Sequence, residues 1–270
     1  MIFMLGLMFL TSCSEFNKVQ KSESFEVRYE AANRYYEAKD YYKASILLES
    51  LLSSATHKDE AEEVQIKYAY CQYYENSFTM SAHYFKKFYQ TYKTSKYVEE
   101  TYYMYALSLY AISPSHNLDQ SNTKMAIDAF QTFLNKYPNT SFKDECNEKV
   151  DLLQGRLEYK AYNMAMLQYN IGNYKAAVSV FDSFYREYPA SKYNEELCYL
   201  KIEAQFKLAE ISAEMVNDHG KIIKLKEDRY SQVKEFYYNF VDLYPSSSYA
   251  KSAEKLYEDS LKRLKELHNS

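Results

Sequence analysis

Residues 174–189 read YKAAVSVFDSFYREYP, and this stretch decides the fold. Ala177, Phe181 and Phe184 follow one another at intervals of four and three residues, which puts them on one face of a helix. Pro189 ends that helix, because a proline biases the residue before it away from helical geometry. The stretch therefore predicts an amphipathic helix that buries a small residue and two aromatic rings.

The same phrase recurs along the chain, so this helix belongs to a repeat. The positions equivalent to Ala177 are Ala44, Ser81, Ala126 and Val233. A partner helix precedes each copy and carries a small residue where two helices must approach closely, at Ala32, Ala69, Ala106, Ala165 and Ala204. This pairing is the pattern of the tetratricopeptide repeat. We therefore predict an all-α tetratricopeptide-repeat solenoid of about five helical hairpins with a C-terminal capping helix.

The spacing between copies increases along the chain, which indicates insertions. We predict repeats near residues 25–58, 62–95, 98–140, 142–191 and 192–247, followed by a capping helix at 249–268. The turn-rich residues 113–122 predict a loop inside the third hairpin, and residues 142–170 predict a long first helix in the fourth. A third insertion is predicted after Glu214, in a segment that includes Asp218 and precedes the second helix of the last repeat.

The composition supports a folded helical protein and excludes several kinds of site. Hydrophobic residues make up 47% of the chain and charged residues 26%, which is enough for a core, while Gly 4 and Pro 4 leave few positions for tight turns. A net charge of −4 with interspersed signs provides no basic surface for nucleic acid, so we expect no nucleic-acid partner. Neither metal-ligand spacing nor a phosphate-binding glycine loop is present. We therefore expect no metal, no cofactor and no enzyme activity.

The N-terminus carries a targeting signal. The first residues, MIFMLGLMFLTS, form an apolar run that is too short to span a bilayer and is typical of a signal peptide. LTSC at residues 10–13 resembles the bacterial lipobox, in which small residues precede the cysteine that receives lipid. We predict a signal peptide at 1–12, a lipidated tether at 13–24 anchored through Cys13, and the repeat domain at 25–270.

Three further phrases are informative, namely VQIKYAY at residues 64–70, YPNTSF at 137–142 and GRLEYK at 155–160. Together with the lipobox and the lengthened later repeats, they resemble the BamD family, the tetratricopeptide-repeat lipoproteins of the outer-membrane β-barrel assembly machine. The resemblance implies a lipid-anchored protein on the periplasmic face of the bacterial outer membrane. It also implies two kinds of partner: unfolded outer-membrane proteins, bound by the N-terminal repeats through their C-terminal signal, and the barrel-forming subunit of the machine, bound by the C-terminal repeats.

Repeat geometry predicts which side chains of the first two hairpins face a groove, because stacked hairpins form a concave surface lined by their first helices. The predicted peptide-binding residues are Tyr29, Asn33, Tyr36, Ile66, Tyr70 and Tyr73. Tyrosine rings at these positions can stack on an extended, aromatic-ended peptide, although several would alternatively pack against a neighbouring helix. Arg156 is predicted to pair with a carboxylate of a partner protein, the alternative being an ordinary solvated arginine.

Two other functions fit parts of the pattern. A different envelope tetratricopeptide-repeat lipoprotein, such as a cell-envelope coordinator or a glycan-uptake subunit, would share the repeats and the anchor. Glycan-uptake relatives are usually longer and rich in Trp, which this chain lacks. An enzyme on a helical solenoid would need an appended catalytic domain, for which the repeats leave no room. We therefore interpret the chain as an outer-membrane protein assembly factor, with another envelope-binding lipoprotein as the alternative.

Overall fold

The structure is a computed structural model that describes residues 15–56, 59–214 and 219–269. Its regular structure is helical throughout those ranges, and none of them contains a β-strand. A short helical segment at residues 15–20 precedes the first hairpin. Cys13, the predicted lipid anchor, and Asp218, in the predicted third insertion, lie outside the described residues.

Most helices of the described chain follow one another in pairs. The pairs are α1 Phe25–Glu37 with α2 Tyr41–Leu51, α3 Ala61–Tyr74 with α4 Phe78–Thr91, α5 Val98–Ala111 with α6 Ser121–Lys136, α7 Lys143–Asn170 with α8 Tyr174–Glu187, and α9 Asn194–Glu210 with α10 His219–Leu243. A 3-10 turn, Ile211–Glu214, extends α9, and a single helix, α11, runs over Ala250–His268 after the fifth pair. This arrangement confirms the predicted all-α fold of helical hairpins with a C-terminal helix.

Each pair closes on the small residues that the repeat pattern predicts. Five of them in first helices are fully buried, namely Ala32, Ala69, Ala106, Ala165 and Ala204, and their partners in second helices are equally buried at Ala44, Ser81, Ala126, Ala177 and Val233. Ser81 is the polar member of this set. The Ser108 hydroxyl in α5 donates to the Met104 carbonyl at 2.7 Å, so the Ser81 hydroxyl donates to the Ser108 oxygen, which lies 2.9 Å away, and both buried hydroxyls are paired.

Three hairpin turns share the same backbone conformation. Lys39, Asn76 and Gly172 each adopt the left-handed conformation, with φ of 59°, 61° and 78°. The N–H of the next residue in each turn donates to a carbonyl five residues back, as in Asn173 to Gln168 at 2.9 Å. This is the geometry with which many helices end before the chain reverses. It brings the second helix of each of these pairs back along the first.

A different turn leads from one pair to the next. A tyrosine directly follows each of four second helices, and the serine or threonine three residues after that tyrosine accepts a hydrogen bond from the N–H two residues further on. These residues are Ser95, Thr140, Ser191 and Ser247, with distances of 3.0–3.3 Å. The hydroxyl thus supports the turn whether or not a proline is present. The copy that has Lys93 in place of proline therefore turns in the same way.

The chain divides at residues 155–156, within α7, into two compact units. Aromatic side chains of the second helices form the centre of each unit, with Phe85 and Phe130 buried in the first and Phe184 and Phe240 in the second. These are positions of the recurring phrase. Their burial supplies the apolar contact that stabilises a repeat array.

Two of the predicted insertions have the expected form, and the third does not. Residues 112–120 form the loop between α5 and α6, and α7 is a continuous helix of 28 residues. The segment after Asp218 was expected to lie before the second helix of the last repeat, but α10 already begins at His219. Residues 221–227, KIIKLKE, contain no helix breaker and repeat apolar residues at helical spacing, so the insertion lengthens the helix.

Candidate functional site

A cavity of about 730 Å³ opens in the first unit, between the first helices of successive pairs. Residues of α1, α3 and α5 and of the segments before α3 and α5 line it. Its walls contain four tyrosines, four carboxylates and two lysines, namely Tyr36, Tyr70, Tyr92, Tyr97, Asp59, Glu62, Glu63, Glu100, Lys67 and Lys96, together with Thr56, Ala61 and Ile66. A surface with aromatic faces and both signs of charge suits a polar chain with apolar side groups.

The six residues predicted to face a peptide groove fall into three groups. Tyr36, Ile66 and Tyr70 line the cavity, although Ile66 is almost fully buried. Tyr29 and Asn33 do not line the cavity, but they hydrogen-bond to Glu63 and Lys67, which do. Tyr73 is not among the lining residues, and its ring packs edge-on against Phe78 of α4 at 5.3 Å between centroids.

Lys67 is at the centre of a polar network on the α3 wall. Its Nζ donates to Glu63 Oε1 at 2.5 Å and to Asn33 Oδ1 at 2.9 Å, and lies 5.3 Å from the centroid of the Tyr36 ring. Tyr29 donates its hydroxyl to the other oxygen of Glu63 at 2.6 Å. Burial alone would raise the pKa of the Glu63 carboxyl, but the hydrogen bonds from Lys67 and Tyr29 outweigh it and lower that pKa.

Tyr70 connects α3 to α5. Its hydroxyl donates to Glu100, and its ring meets Phe85 edge-on at 5.0 Å between centroids. Burial, and then the hydrogen bond to the Glu100 carboxylate, raise the pKa of Tyr70 far above its ordinary value. The hydroxyl is therefore already engaged, and a ligand would meet the exposed part of the ring.

The charges of the cavity do not balance. Four carboxylates face two ammonium groups, and Lys67 is already paired with Glu63. Glu62 accepts a hydrogen bond from Ser95 at 2.6 Å, while the exposed Lys96 lies 4.8 Å from the centroid of the Tyr97 ring. Negative charge therefore predominates at the walls, and Lys96 is the cation of the cavity that forms no ion pair within the described residues.

The sequence-based prediction missed most of the charged lining. Glu63 lies three residues before Ile66, and Lys67 lies three residues before Tyr70, so helical spacing places each of them beside a predicted residue of α3. That spacing would have identified them. Glu100 and Lys96 had no such signal, because they reach the cavity only through the packing of α5 against α3.

A tyrosine-to-glutamate hydrogen bond links successive first helices in both units. Tyr29 of α1 donates to Glu63 of α3, and Tyr162 of α7 donates to Glu196 of α9 at 2.9 Å. Burial and the hydrogen bond raise the pKa of both tyrosines to about 12. Tyrosine suits this position because its ring packs between helices while its hydroxyl reaches a carboxylate, which gives a physical reason for some of the 32 tyrosines.

A family model described as YfiO, outer membrane lipoprotein, matches residues 21–220. This chain belongs to that family. The match spans most of the chain and confirms the resemblance found in the sequence phrases. The outer membrane protein assembly factor BamD of Rickettsia prowazekii (strain Madrid E) is 29% identical over 107 residues, which are 40% of this chain and 43% of that protein.

The part matched to the YfiO family contains all the residues that line the cavity, and also Arg156. Arg156 is the first residue of the second unit and is half-buried on α7. It is separated from the cavity by the division of the chain, so the two predicted sites belong to different units. Most of α10 and all of α11 follow the matched residues.

Two further features of this YfiO-family chain bear on its chemistry. Within the described ranges, no helix combines the length and the apolar character needed to cross a membrane. Cys71 and Cys146 are buried free thiols, and Cys198 is a half-buried free thiol. Burial raises the pKa of all three, to about 12 for Cys71 and Cys146, so none is activated as a nucleophile.

Proposed function

We propose that this protein is an outer-membrane protein assembly factor. In this proposal it is a lipid-anchored scaffold without enzyme activity, held by Cys13 at the periplasmic face of the outer membrane. It binds the barrel-forming subunit of the β-barrel assembly machine and receives unfolded outer-membrane proteins. The observation that carries the proposal is the family match over residues 21–220, and the assembly role in the name of the similar protein supports it.

The cavity of the first unit is the proposed site for an unfolded substrate. An extended peptide carries backbone N–H donors along its length and side chains that alternate between its two faces. Glu62 and Glu100 provide carboxylate acceptors for such donors, and the rings of Tyr36 and Tyr97 provide apolar faces. This chemistry favours a segment rich in aromatic residues, as in barrel-forming strands.

The charge of the cavity limits how such a peptide is recognised. A free C-terminal carboxylate would be repelled by the surplus of acidic side chains, and Lys96 is the cation available to meet it. We therefore infer that the backbone and aromatic side chains provide most of the affinity. A peptide with an amidated C-terminus is expected to bind at least as well as the same peptide with a free one.

The barrel-forming subunit is proposed to bind the second unit. Arg156 is the proposed contact, because an arginine can hold a partner carboxylate through two parallel hydrogen bonds. The separation of the predicted sites between two units supports separate roles for the two ends of the chain. Loss of one kind of binding should then leave the other intact.

A peptide-binding experiment tests the first half of the proposal. The full chain is titrated into a labelled peptide with the aromatic C-terminal signal of an outer-membrane protein, and fluorescence anisotropy is measured. Tyr36→Ala is expected to weaken binding by about 0.5–1.5 kcal/mol, the contribution of one aromatic contact. Tyr42→Ala is the matched control, because Tyr42 is 65% exposed on α2 and is not part of the cavity wall. Equal effects of the two changes would exclude the cavity as the site.

Co-purification from detergent-solubilised envelopes tests the second half. Arg156→Glu is expected to lose the barrel-forming subunit while retaining peptide binding, and Tyr36→Ala is expected to do the reverse. Lys175→Glu, an exposed reversal on α8, serves as the control for a change of charge. If the wild-type chain instead brings down other envelope proteins and no barrel-forming subunit, the alternative of another envelope-binding lipoprotein replaces the proposal.

A further inference from the structure

A second cavity, of about 340 Å³, lies wholly within the second unit between α8, α9 and α10. Its walls are largely apolar and include Phe181, Leu197, Phe240 and Leu243. Leu243 is 52% exposed and stands at the surface of the cavity. The volume and the apolar walls are those of a site that accepts a small ligand or a side chain of a partner.

One wall carries a buried polar group that the protein does not satisfy. Asn194, which is 2% exposed, donates from Nδ2 to the backbone carbonyls of Tyr188 at 2.8 Å and Pro189 at 3.0 Å. These two acceptors determine which end of the amide is the NH₂ group. Its Oδ1 is buried and has no hydrogen-bond partner in the described structure. An unpaired buried acceptor is destabilising until a donor reaches it, so this oxygen indicates a ligand that carries an N–H group.

The charges around the cavity favour a cation. Lys201 already has partners for its charge. Its Nζ forms an ion pair with Asp182 at 2.5 Å and lies 3.8 Å from the centroid of the Phe236 ring. Asp242 forms no ion pair in the described parts of the chain. It lies in the last turn of α10, where the helix carries a partial negative charge and has no basic residue to offset it. A positive group placed beside Asp242 would be stabilised by both the carboxylate and the helix end.

The unpaired oxygen and the unpaired carboxylate lie at the same end of the cavity. Cys198 of α9 and Tyr244, which directly follows α10, pack against the same buried cluster, so the start of α9 lies against the end of α10. Asn194 is one helical turn before Cys198, and Asp242 is two residues before Tyr244. One end of the cavity therefore offers a hydrogen-bond acceptor and a negative charge beside apolar walls.

We propose that this cavity is a docking pocket for a segment of a partner protein that presents an apolar side chain next to an arginine or lysine. The apolar side chain packs on Phe240 and Leu243, and the cationic side chain meets Asp242. A donor N–H of the same segment reaches Asn194 Oδ1. The inference goes beyond the proposed function, because it concerns a surface to which that function assigns no role and holds for any partner with this chemistry.

Cys198 supplies a reporter for occupancy. It lines the cavity and is half-buried, whereas Cys71 and Cys146 are fully buried. The full chain is alkylated with iodoacetamide, and peptide mapping by mass spectrometry follows the rate at Cys198 alone. The probes are acetyl-phenylalanyl-arginine amide, its glutamate counterpart acetyl-phenylalanyl-glutamate amide, and acetyl-phenylalanine amide.

The arginine probe is expected to slow alkylation of Cys198, and the glutamate probe is expected to have little effect. Asp242→Asn should raise the concentration of arginine probe needed for half-maximal protection by about threefold, the effect of losing one exposed ion pair. Asp228→Asn, an exposed change on the same helix outside the cavity, should leave that concentration unchanged.

Several results would overturn the proposal. If the arginine probe did not protect Cys198, the cavity would be excluded as a docking pocket. If the glutamate or uncharged probe protected Cys198 equally well, a preference for a cation would be excluded. Equal behaviour of the Asp242→Asn and Asp228→Asn variants would show that Asp242 is not the recognition group. Protection that increases with protein concentration in the absence of any probe would indicate that a second copy of the chain covers the surface.

Discussion

Replacing Ala177 by arginine tests the packing that defines the fold. Ala177 is 0% exposed in α8 and belongs to a buried cluster with Ala165, Phe181 and Phe184. An arginine there must displace close-packed neighbours, at about 1–3 kcal/mol, and must also bury a charge that has no partner, at several kcal/mol more before relaxation. We expect a loss of about 4 kcal/mol or more, a large part of the 5–15 kcal/mol that stabilises a typical domain.

The loss can be measured by thermal unfolding followed by far-ultraviolet circular dichroism. For a chain of this size each kcal/mol lowers the melting temperature by about 2–4 °C, so a decrease of about 8–16 °C is expected. Hydrogen exchange should show that the loss is concentrated in residues of the second unit, because Ala177 packs within it.

Two controls separate the causes. Ser179→Arg places the same charge on the same helix at an exposed position and should change the melting temperature by at most a few degrees. Ala177→Ser adds one oxygen and should fall between the wild type and Ala177→Arg. An unchanged melting temperature for Ala177→Arg would show that Ala177 is not at a helix crossing, and the repeat register derived from it would be wrong.

Three further predictions follow from backbone geometry, titration and the N-terminus. Gly172→Ala should destabilise by about 1 kcal/mol, because φ is +78° there. Gly155→Ala, inside α7 with open space around the new methyl group, should instead stabilise by about 0.5–1 kcal/mol, and shifts of the same sign for the two variants in denaturant unfolding would show that one of the two predictions is wrong. Burial, aided by neighbouring carboxylates, raises the pKa of Tyr29, Tyr162 and Tyr188 to about 12. The free energy of unfolding should therefore be constant below about pH 10 and fall as the pH rises towards 12. If the tyrosinate absorbance of the native protein followed the same pH curve as that of the protein unfolded in urea, this prediction would be refuted. Cys13→Ala should release the protein from membranes, since the lipid on Cys13 is the expected anchor, and a variant that stayed membrane-bound through a high-salt wash would contradict the lipid anchor.

The pairing of helices was predictable because it depends on local sequence. Residues such as Ala177 and Phe184 lie three to seven positions apart on one helix face, and helical periodicity alone puts them on the buried side. The loop between α5 and α6 was predicted from its turn-forming residues. The length of α7 was predicted because that stretch has almost no such residues. The start of α10 was not predicted. The neighbouring Asp-His-Gly sequence indicated a loop, although residues 221–227 have the spacing of a helix.

The candidate sites depend on contacts between residues distant in sequence, and the tertiary structure alone decided them. Lys67 meets Asn33 across 34 residues, and Asp182 meets Lys201 across 19, so which lysines are paired cannot be read from composition. The same holds for the cavity that Asn194 lines, because α8, α9 and α10 form its walls together. Sequence periodicity determines which face of a helix is buried, since that face repeats every few residues. Which charges remain available on the surface depends on the partner that each helix meets, and only the packed chain determines that.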